Sequence, residues 1–468
     1  MKLSLSRKHE EGRDFSKREI ENSFSKLKSK LESFDKNYLV HLKHLSFVDF
    51  YNKLLETTYI LLNHDFSLDH MEVLTSDLAK VQKHDNKWRN FVNSKCAELR
   101  SLSGAEFLFQ PHVLGDVLKF PSLTKLVLEN SGPVDRTICW SMAENLEHLD
   151  IYHSDDPVKK REIHPSVELW KLKLPKLTFL RLANVNIYTD GIAEELERDQ
   201  TGDINLVGFP RLKILILRRI SVVMPRNRNL LIFLLRRAEM LEELDLHGCD
   251  ELNYDDVDVA LGPLWRITLH TLDLFGIDGT HGFCNFFNRS KGAVYLRSLT
   301  ISNRSSFYDS PEQSREYFNT FIESFVAGNQ HLKSLNLSKT LIEDKQILWL
   351  LNCAPGLEEI NLHGCIGVPR GGWRRNVTKV EFPLLREALR KHPLDSSEGR
   401  QACENITNHP LQRKNAKRKR PTASVQNDDN KYLENTRPKS RTKQKSKSMK
   451  EIEHKEEQVR QLTVNISC

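Results

Sequence analysis

Residues 241–249 read Leu-Glu-Glu-Leu-Asp-Leu-His-Gly-Cys, and residues 357–365 read Leu-Glu-Glu-Ile-Asn-Leu-His-Gly-Cys. Their shared core, L-x-x-L-x-L with occasional Ile, occurs nine times. It starts at Leu123, Leu146, Leu177, Leu212, Leu241, Leu269, Leu296, Leu332 and Leu357, at intervals of 23 to 36 residues. Self-similarity at such a period marks stacked units, none of which buries its apolar face alone. Within each unit the L-x-L alternation predicts a short strand. Its leucines point inward, and its third, fifth and seventh residues face solvent. Two stretches between the strands, Asp255–Leu261 and Glu343–Leu351, predict helical returns. Each opens on acids, which the helix dipole favours at an N-terminus.

This pattern resembles the leucine-rich repeat. Units ending in Cys249 and Cys365, the second also preceded by Cys353, are similar to its cysteine-containing subclass, C-P-x-L-x-x-L-x-L-x-x-C, and Thr189-Asp-Gly-Ile192 to that subclass's helix start. The resemblance implies an α/β fold over residues 101–392: a solenoid with a curved parallel sheet, helical returns and a surface used to hold another macromolecule. The three cysteines then read as small buried residues filling the turn after a strand. None of the eight cysteines has zinc-ligand spacing, so no metal is expected.

Residues 1–40 are charged and helix-compatible, with Ile20, Phe24, Leu27, Leu31 and Phe34 on one stripe. Residues 41–100 are richer in Leu, Phe and Tyr and predict an all-α domain. Its Phe50–Leu62 and Met71–Phe91 stretches resemble an F-box, the helical module that docks on the Skp adaptor of a cullin-RING ubiquitin ligase while the solenoid holds the substrate. On that resemblance Leu54, Leu55 and Ile60 stand for the opening half of the motif. Leu78 and Trp88, with Asp77 and Arg89, stand for the closing half. The usual Leu-Pro start and the cysteine before the tryptophan are absent. A helical cap over the first repeat is the other reading, because an end repeat needs its leucines covered.

The outward positions map the face a partner would meet. Tyr152, Phe179, Arg181, Ile214, Ile216 and Arg218 form an apolar and basic band. Glu243, Asp245, Asp273 and Phe275 form a more acidic one, and the last third is small and polar. Phe and Ile beside Arg have the composition of an interface core. No nucleophile elbow, phosphate loop or metalloprotease helix occurs. The expectation is a protein that binds and does not catalyse, with no cofactor. The longest apolar run, Leu230–Leu235, is too short to span a bilayer, so no membrane partner is expected.

The net charge of +7 misdescribes the folded part. Residues 411–450 hold fourteen Lys and Arg against three Asp and Glu, a surplus of +11, so the rest of the chain sums to −4. After Pro393 apolar density falls, and residues 393–468 read as a disordered basic tail. Within it Lys417, Arg418, Lys419 and Arg420 form a compact cluster suited to an import receptor, which predicts a nuclear protein, with the cytoplasm as the alternative. Weak, non-specific contact with nucleic acid phosphates would be a by-product. The leading functional expectation is a ligase substrate receptor with Skp adaptor and cullin as partners. The alternative is a nuclear scaffold without a ligase link.

Overall fold

The computed structural model describes residues 2–6, 41–48, 65–74, 98–104, 120–129, 143–153, 166–168, 174–188, 209–223, 227–235, 238–262, 268–277, 282–289, 295–302, 311–354, 356–365, 376–377, 382–391, 396–398 and 463–467, with isolated positions at 25, 29, 61, 90, 91, 94–96 and 401. In chain order the strands are β1 (Lys2–Ser6), β2 (His44–Val48), β3 (His70–Leu74), β4 (Ser101–Gly104), β5 (Lys125–Glu129), β6 (His148–Tyr152), β7 (Ser166–Glu168), β8 (Phe179–Ala183) and β9 (Asn186–Tyr188). They continue with β10 (Ile214–Arg218), β11 (Ser221–Val223), β12 (Glu243–Asp245), β13 (Thr271–Phe275), β14 (Ser298–Ser302), β15 (Ser334–Asn336), β16 (Glu359–Asn361), β17 (Asn376–Val377) and β18 (Thr463–Ser467).

Fifteen of these form one sheet in the order β17-β16-β15-β14-β13-β12-β10-β8-β6-β5-β4-β3-β2-β1-β18. Every pairing in it is parallel except β16 with β17. A small second sheet, β11-β9-β7, is also parallel. One strand per repeat in sequence order is the architecture of a leucine-rich-repeat-like solenoid, and all nine quoted repeats supply a strand in register. Leu126, Leu149, Leu180, Leu215, Leu244, Leu272, Leu299, Leu335 and Ile360 form one fully buried ladder.

A second ladder binds the repeats through their backbones. The carbonyl of each repeat's second residue accepts the N–H groups of the second and third residues of the next repeat. The Lys213 carbonyl, for example, accepts from Glu242 at 2.8 Å and Glu243 at 3.0 Å. This pair of hydrogen bonds recurs on the carbonyls from Lys43 through Asp69, Arg100, Thr124 and Glu147 to Lys333, whose donors are Glu358 and Glu359. It therefore crosses residue 100 without a break. In place of the all-α domain expected at 41–100, β2 and β3 belong to the solenoid sheet, and the sheet continues N-terminally to β1. Leu42, Leu45 and Phe47 are the repeat leucines of β2, and Leu68, Met71 and Val73 those of β3. Buried Met71 stands in register with Leu126, and Phe47 and Val73 stand in register with Leu128, which hides the pattern from a leucine-only reading. At the other end, Thr463–Ser467 of the segment expected to be disordered pairs with β1. Its Thr-Val-Asn-Ile-Ser alternation suits an edge whose N–H and C=O groups need partners. The apolar stripe at Ile20–Phe34 and the Thr189–Ile192 helix start lie outside the described residues.

Entry into each strand is a turn. The N–H of the first leucine donates to the carbonyl three residues back, as in Leu123 to Phe120, Leu177 to Leu174, Leu212 to Phe209 and Leu357 to Ala354. Pro121, Pro175 and Pro210 occupy the second turn position, where their ring presets φ. Exit is nearly as uniform, with His153 of the Leu146 repeat the exception among the described residues. The eighth residue of the repeat has positive φ at Asn184, Arg219, Gly248, Gly276, Lys339 and Gly364. At Gly276 (φ 83°) an added Cβ would lie 3.2 Å from the Gly248 Cα. Gly276→Ala is therefore expected to cost about 1–3 kcal/mol in chemical denaturation, whereas a wild-type midpoint would show that neighbouring repeats shift freely at this turn.

The returns pack on the opposite side of the sheet. They include α1 (Asn227–Leu235), α2 (Tyr254–Leu261), α3 (Phe283–Arg289), α4 (Pro311–Thr320, continued as a π-helical turn, Phe321–Val326) and α5 (Asp344–Cys353), with α6 (Phe382–Lys391) after the last repeat. The two helices expected from sequence are α2 and α5. Asn253 and Asp256 close a reciprocal capping box on α2, and Glu343 and Gln346 one on α5. Between α2 and α4 lies an aromatic cluster of Tyr254, Phe283, Phe286, Phe287, Phe318, Phe321 and Phe325, all buried.

Candidate protein-binding face

Along every strand of the nine repeats the third and fifth residues lie outward, against the buried fourth and sixth. The expected face exists as one surface, and what the side chains do on it depends on their in-register neighbours. His148 and Phe179 stack with ring centroids 4.0 Å apart and planes 3° apart. Burial, with the charge of Lys125 adding to it, holds His148 down at about 4, so this stack is uncharged near neutral pH. Beside it Arg181 lies 4.7 Å from the Tyr152 ring centroid and pairs with Asp150 at 3.3 Å. Asp150 is only 7% exposed, and burial pushes its carboxyl up to about 6 against the pull of Arg181. One oxygen of Asp150 and the Nε of Arg181 are buried without a hydrogen-bond partner. Ile214 and Ile216 continue the surface, half-buried.

The acidic band is less open than its sequence suggests. Asp245 is 3% exposed. Its Oδ2 accepts from Arg218 Nε at 2.7 Å, and its Oδ1 accepts the His247 N–H at 2.9 Å. The same turn recurs where Asp273 accepts from the Phe275 N–H, Asn336 from Ser338 and Asn361 from His363. An Asp or Asn at the fifth position thus binds the backbone two residues on, and at Asp245, Asn336 and Asn361 the strand ends there. Asp245 and Asp273 are first of all partners of their own backbone. Glu243 stays half-buried at the third position, and Phe275 stacks on His247 at 4.3 Å.

Burial pushes the Asp273 carboxyl up to about 6 from an ordinary 3.8, opposed by the Phe275 N–H and reinforced by the charge of Asp245. A raised folded-state pKa means the native protein holds this proton more tightly than the unfolded chain. Its contribution is then fully present below pH 4 and is lost as pH rises through about 6. Asp273→Asn keeps the acceptor oxygen and removes the charge. It is expected to stabilise the protein by about 1–2 kcal/mol at pH 7.5 and hardly at all at pH 4.5. Equal destabilisation at both pH values would mean that the carboxylate itself is needed.

Cys249 and Cys365 act as small buried structural groups, whereas Cys353, expected to be buried as well, is half-buried. The Cys249 thiol donates to the Leu217 carbonyl at 3.0 Å, and Cys365 does the same to Leu337. Burial pushes the Cys249 thiol up to about 12, which leaves no reactive thiolate. Among the described residues no cluster of His, Cys, Asp and Glu could hold a metal ion, and no helix is long and apolar enough to cross a membrane. Leu54, Leu55, Ile60, Leu78 and Trp88, and the basic cluster Lys417, Arg418, Lys419 and Arg420, lie outside the described residues.

Three features of the face escaped the sequence reading: the flat His148–Phe179 stack, the pinning of each arginine by a buried aspartate, and the cations Arg219 and Lys339 at the eighth position. The last had a signal. Gly248, Gly276 and Gly364 mark that position in other repeats, and aligning on them exposes the two departures.

No protein-family model matches the chain, and no curated protein sequence matches it. Among solved structures the chain is similar to one titled "Crystal structure of Rad7 and Elc1 complex in yeast", at 16% sequence identity, over 76% of this chain and 90% of that chain, with a TM-score of 0.35. A likeness at that level leaves both fold and function to be argued from the chain's own geometry, which is that of a leucine-rich-repeat-like solenoid.

Proposed function

We propose that the chain works by binding alone, and that the outward face of its main sheet between β6 and β13 holds a protein partner. One observation carries this reading. At the centre of the face Arg181 and Arg218 are each held by a buried aspartate, with side chains still 32% and 48% exposed, beside Phe179, Ile214 and Ile216. Arginines fixed in advance lose little entropy on association, and aromatic and arginine side chains concentrate binding energy. A photo-crosslinking residue at Phe179 or Ile216 of the full chain should give discrete protein adducts in cells, and one at exposed Glu323 on the helical side should not. Ile216→Asp should abolish the Phe179 adducts. Adducts independent of position would sink the reading.

The finer proposal makes that partner the substrate of a cullin-RING ubiquitin ligase, with Leu54, Leu55, Ile60, Leu78 and Trp88 docking a Skp adaptor. Its support is the F-box resemblance alone. β3 falls inside the Phe50–Phe91 stretch and must be accommodated within it. Micromolar binding of purified Skp adaptor to the full chain, lost in Trp88→Ala, is the expected result. No binding would leave a scaffold without a ligase link. The basic tail gives a separate expectation for location. Replacing Lys417, Arg418, Lys419 and Arg420 with alanine should move the protein out of the nucleus while crosslinking at Phe179 persists in a cytosolic extract. Unchanged nuclear accumulation would mean that import rides on a partner.

A further inference from the structure

Among the described residues the outermost strand of the main sheet, beyond β1, comes from far along the chain. β18 (Thr463–Ser467) lies parallel to β1, with Val464 opposite Leu3, Asn465 opposite Ser4 and Ile466 opposite Leu5. These register positions continue into the repeats. Val464 and Leu3 share a row with buried Leu45, Met71, Leu102 and Leu126, and Asn465 and Ser4 share one with Ser46, Glu72 and Ser103. The Thr-Val-Asn-Ile-Ser sequence thus repeats the apolar and polar rows of the strands it joins. An end repeat needs its apolar row covered and its edge N–H and C=O groups paired, and these five residues occupy the place where both are supplied. The tie is nevertheless weak. No hairpin joins β18 to β1. The preceding described helix, α6, sits on the last repeat, where Arg386 donates to the Ala354 carbonyl at 2.6 Å. Fifteen strands put the two ends of the sheet about 65–70 Å apart along its width. Residues 392–462, 71 in all, make that crossing. A connection of such length holds a segment at an effective concentration of about millimolar at most. A lone five-residue edge strand also lies at the low end of local stability.

We infer that the outer edge of β1 is a strand-acceptor site, held in the free chain by Thr463–Ser467, and that its ligand is an extended peptide of a partner protein with Val, Ile or Leu at alternate positions and small polar residues between them. Such a peptide enters parallel to β1 and displaces β18. Its main chain supplies affinity, and its alternate apolar side chains supply specificity. A second copy of this chain is a poorer source, because at micromolar protein its strand is far more dilute than the resident one. The site lies on the edge of the sheet, apart from the face between β6 and β13, and does not depend on the reading of that face.

The test releases the resident strand in the full chain. Val464→Pro with Asn465→Pro removes a ladder N–H whichever alternate residues of β18 face β1. Val464→Asp with Ile466→Asp is a second way to release it. A fluorescent peptide of residues 460–467 is titrated into each protein and followed by anisotropy. Both variants should bind it about tenfold or more tighter than the wild type, whose site is already filled. The same peptide carrying Val464→Asp and Ile466→Asp should bind to none of them. A photo-crosslinking group at the Asn465 position of the peptide should mark residues 2–6, read by mass spectrometry. No binding by either variant, equal binding by variants and wild type, or adducts away from β1 would overturn the inference. So would a wild-type dimer at micromolar concentration that both variants lose, because the strand would then be exchanged between copies.

Discussion

Phe287→Ala is expected to destabilise the solenoid by about 3–5 kcal/mol, the largest effect anticipated for a single substitution in this chain. Phe287 is fully buried and touches rings from two other elements. Its centroid lies 4.9 Å from Phe286 and 4.8 Å from Phe283 in its own helix, 6.0 Å from Tyr254 of α2, and 4.8 Å and 5.2 Å from Phe321 and Phe325 of the π-helical turn. Truncation removes the transfer energy of the ring and opens a cavity that the other rings cannot close without leaving their own contacts. Because these residues join the returns of three successive repeats, the loss should appear in the denaturation of the whole C-terminal half. A cost under about 1 kcal/mol, read from urea midpoints, would show that the cluster repacks.

Leu244→Ala comes second, at about 2–5 kcal/mol. Leu244 is fully buried and stands in the inward ladder between Leu215 and Leu272. In a solenoid the stability of a unit is shared with its neighbours, so protection from hydrogen exchange should fall in β10 and β13 as well as β12. Loss confined to β12 would mean that the repeats fold nearly independently.

Much of the fold was legible because the repeat is written in leucine. The spacing placed nine strands and their inward residues, and the acids at 255 and 343 marked two helix starts. The first repeats were hidden because Phe47, Met71 and Val73 stand at strand positions where the later repeats carry leucine or isoleucine. The face was legible in its exposure and only partly in its chemistry. Alternation says that Asp245 points outward. It cannot say that the side chain curls back onto the His247 N–H two residues on, or that Arg218, 27 residues away in sequence, covers it. The strained cations were the least visible, because the left-handed turn belongs to the backbone and only the glycines of other repeats betray it.

The backbone ladder from Lys43 to Glu358 keeps one step per repeat although the starts of the quoted repeats are 23 to 36 residues apart. All of that difference in length is therefore taken up in the returns, away from the strands. Residues inserted into a return can lengthen the back of the molecule without moving any side chain on its front to a new neighbour. Growth by insertion and change of partner are thus separable histories for this chain: the first is written in the length of the returns, and the second in three outward positions of each strand.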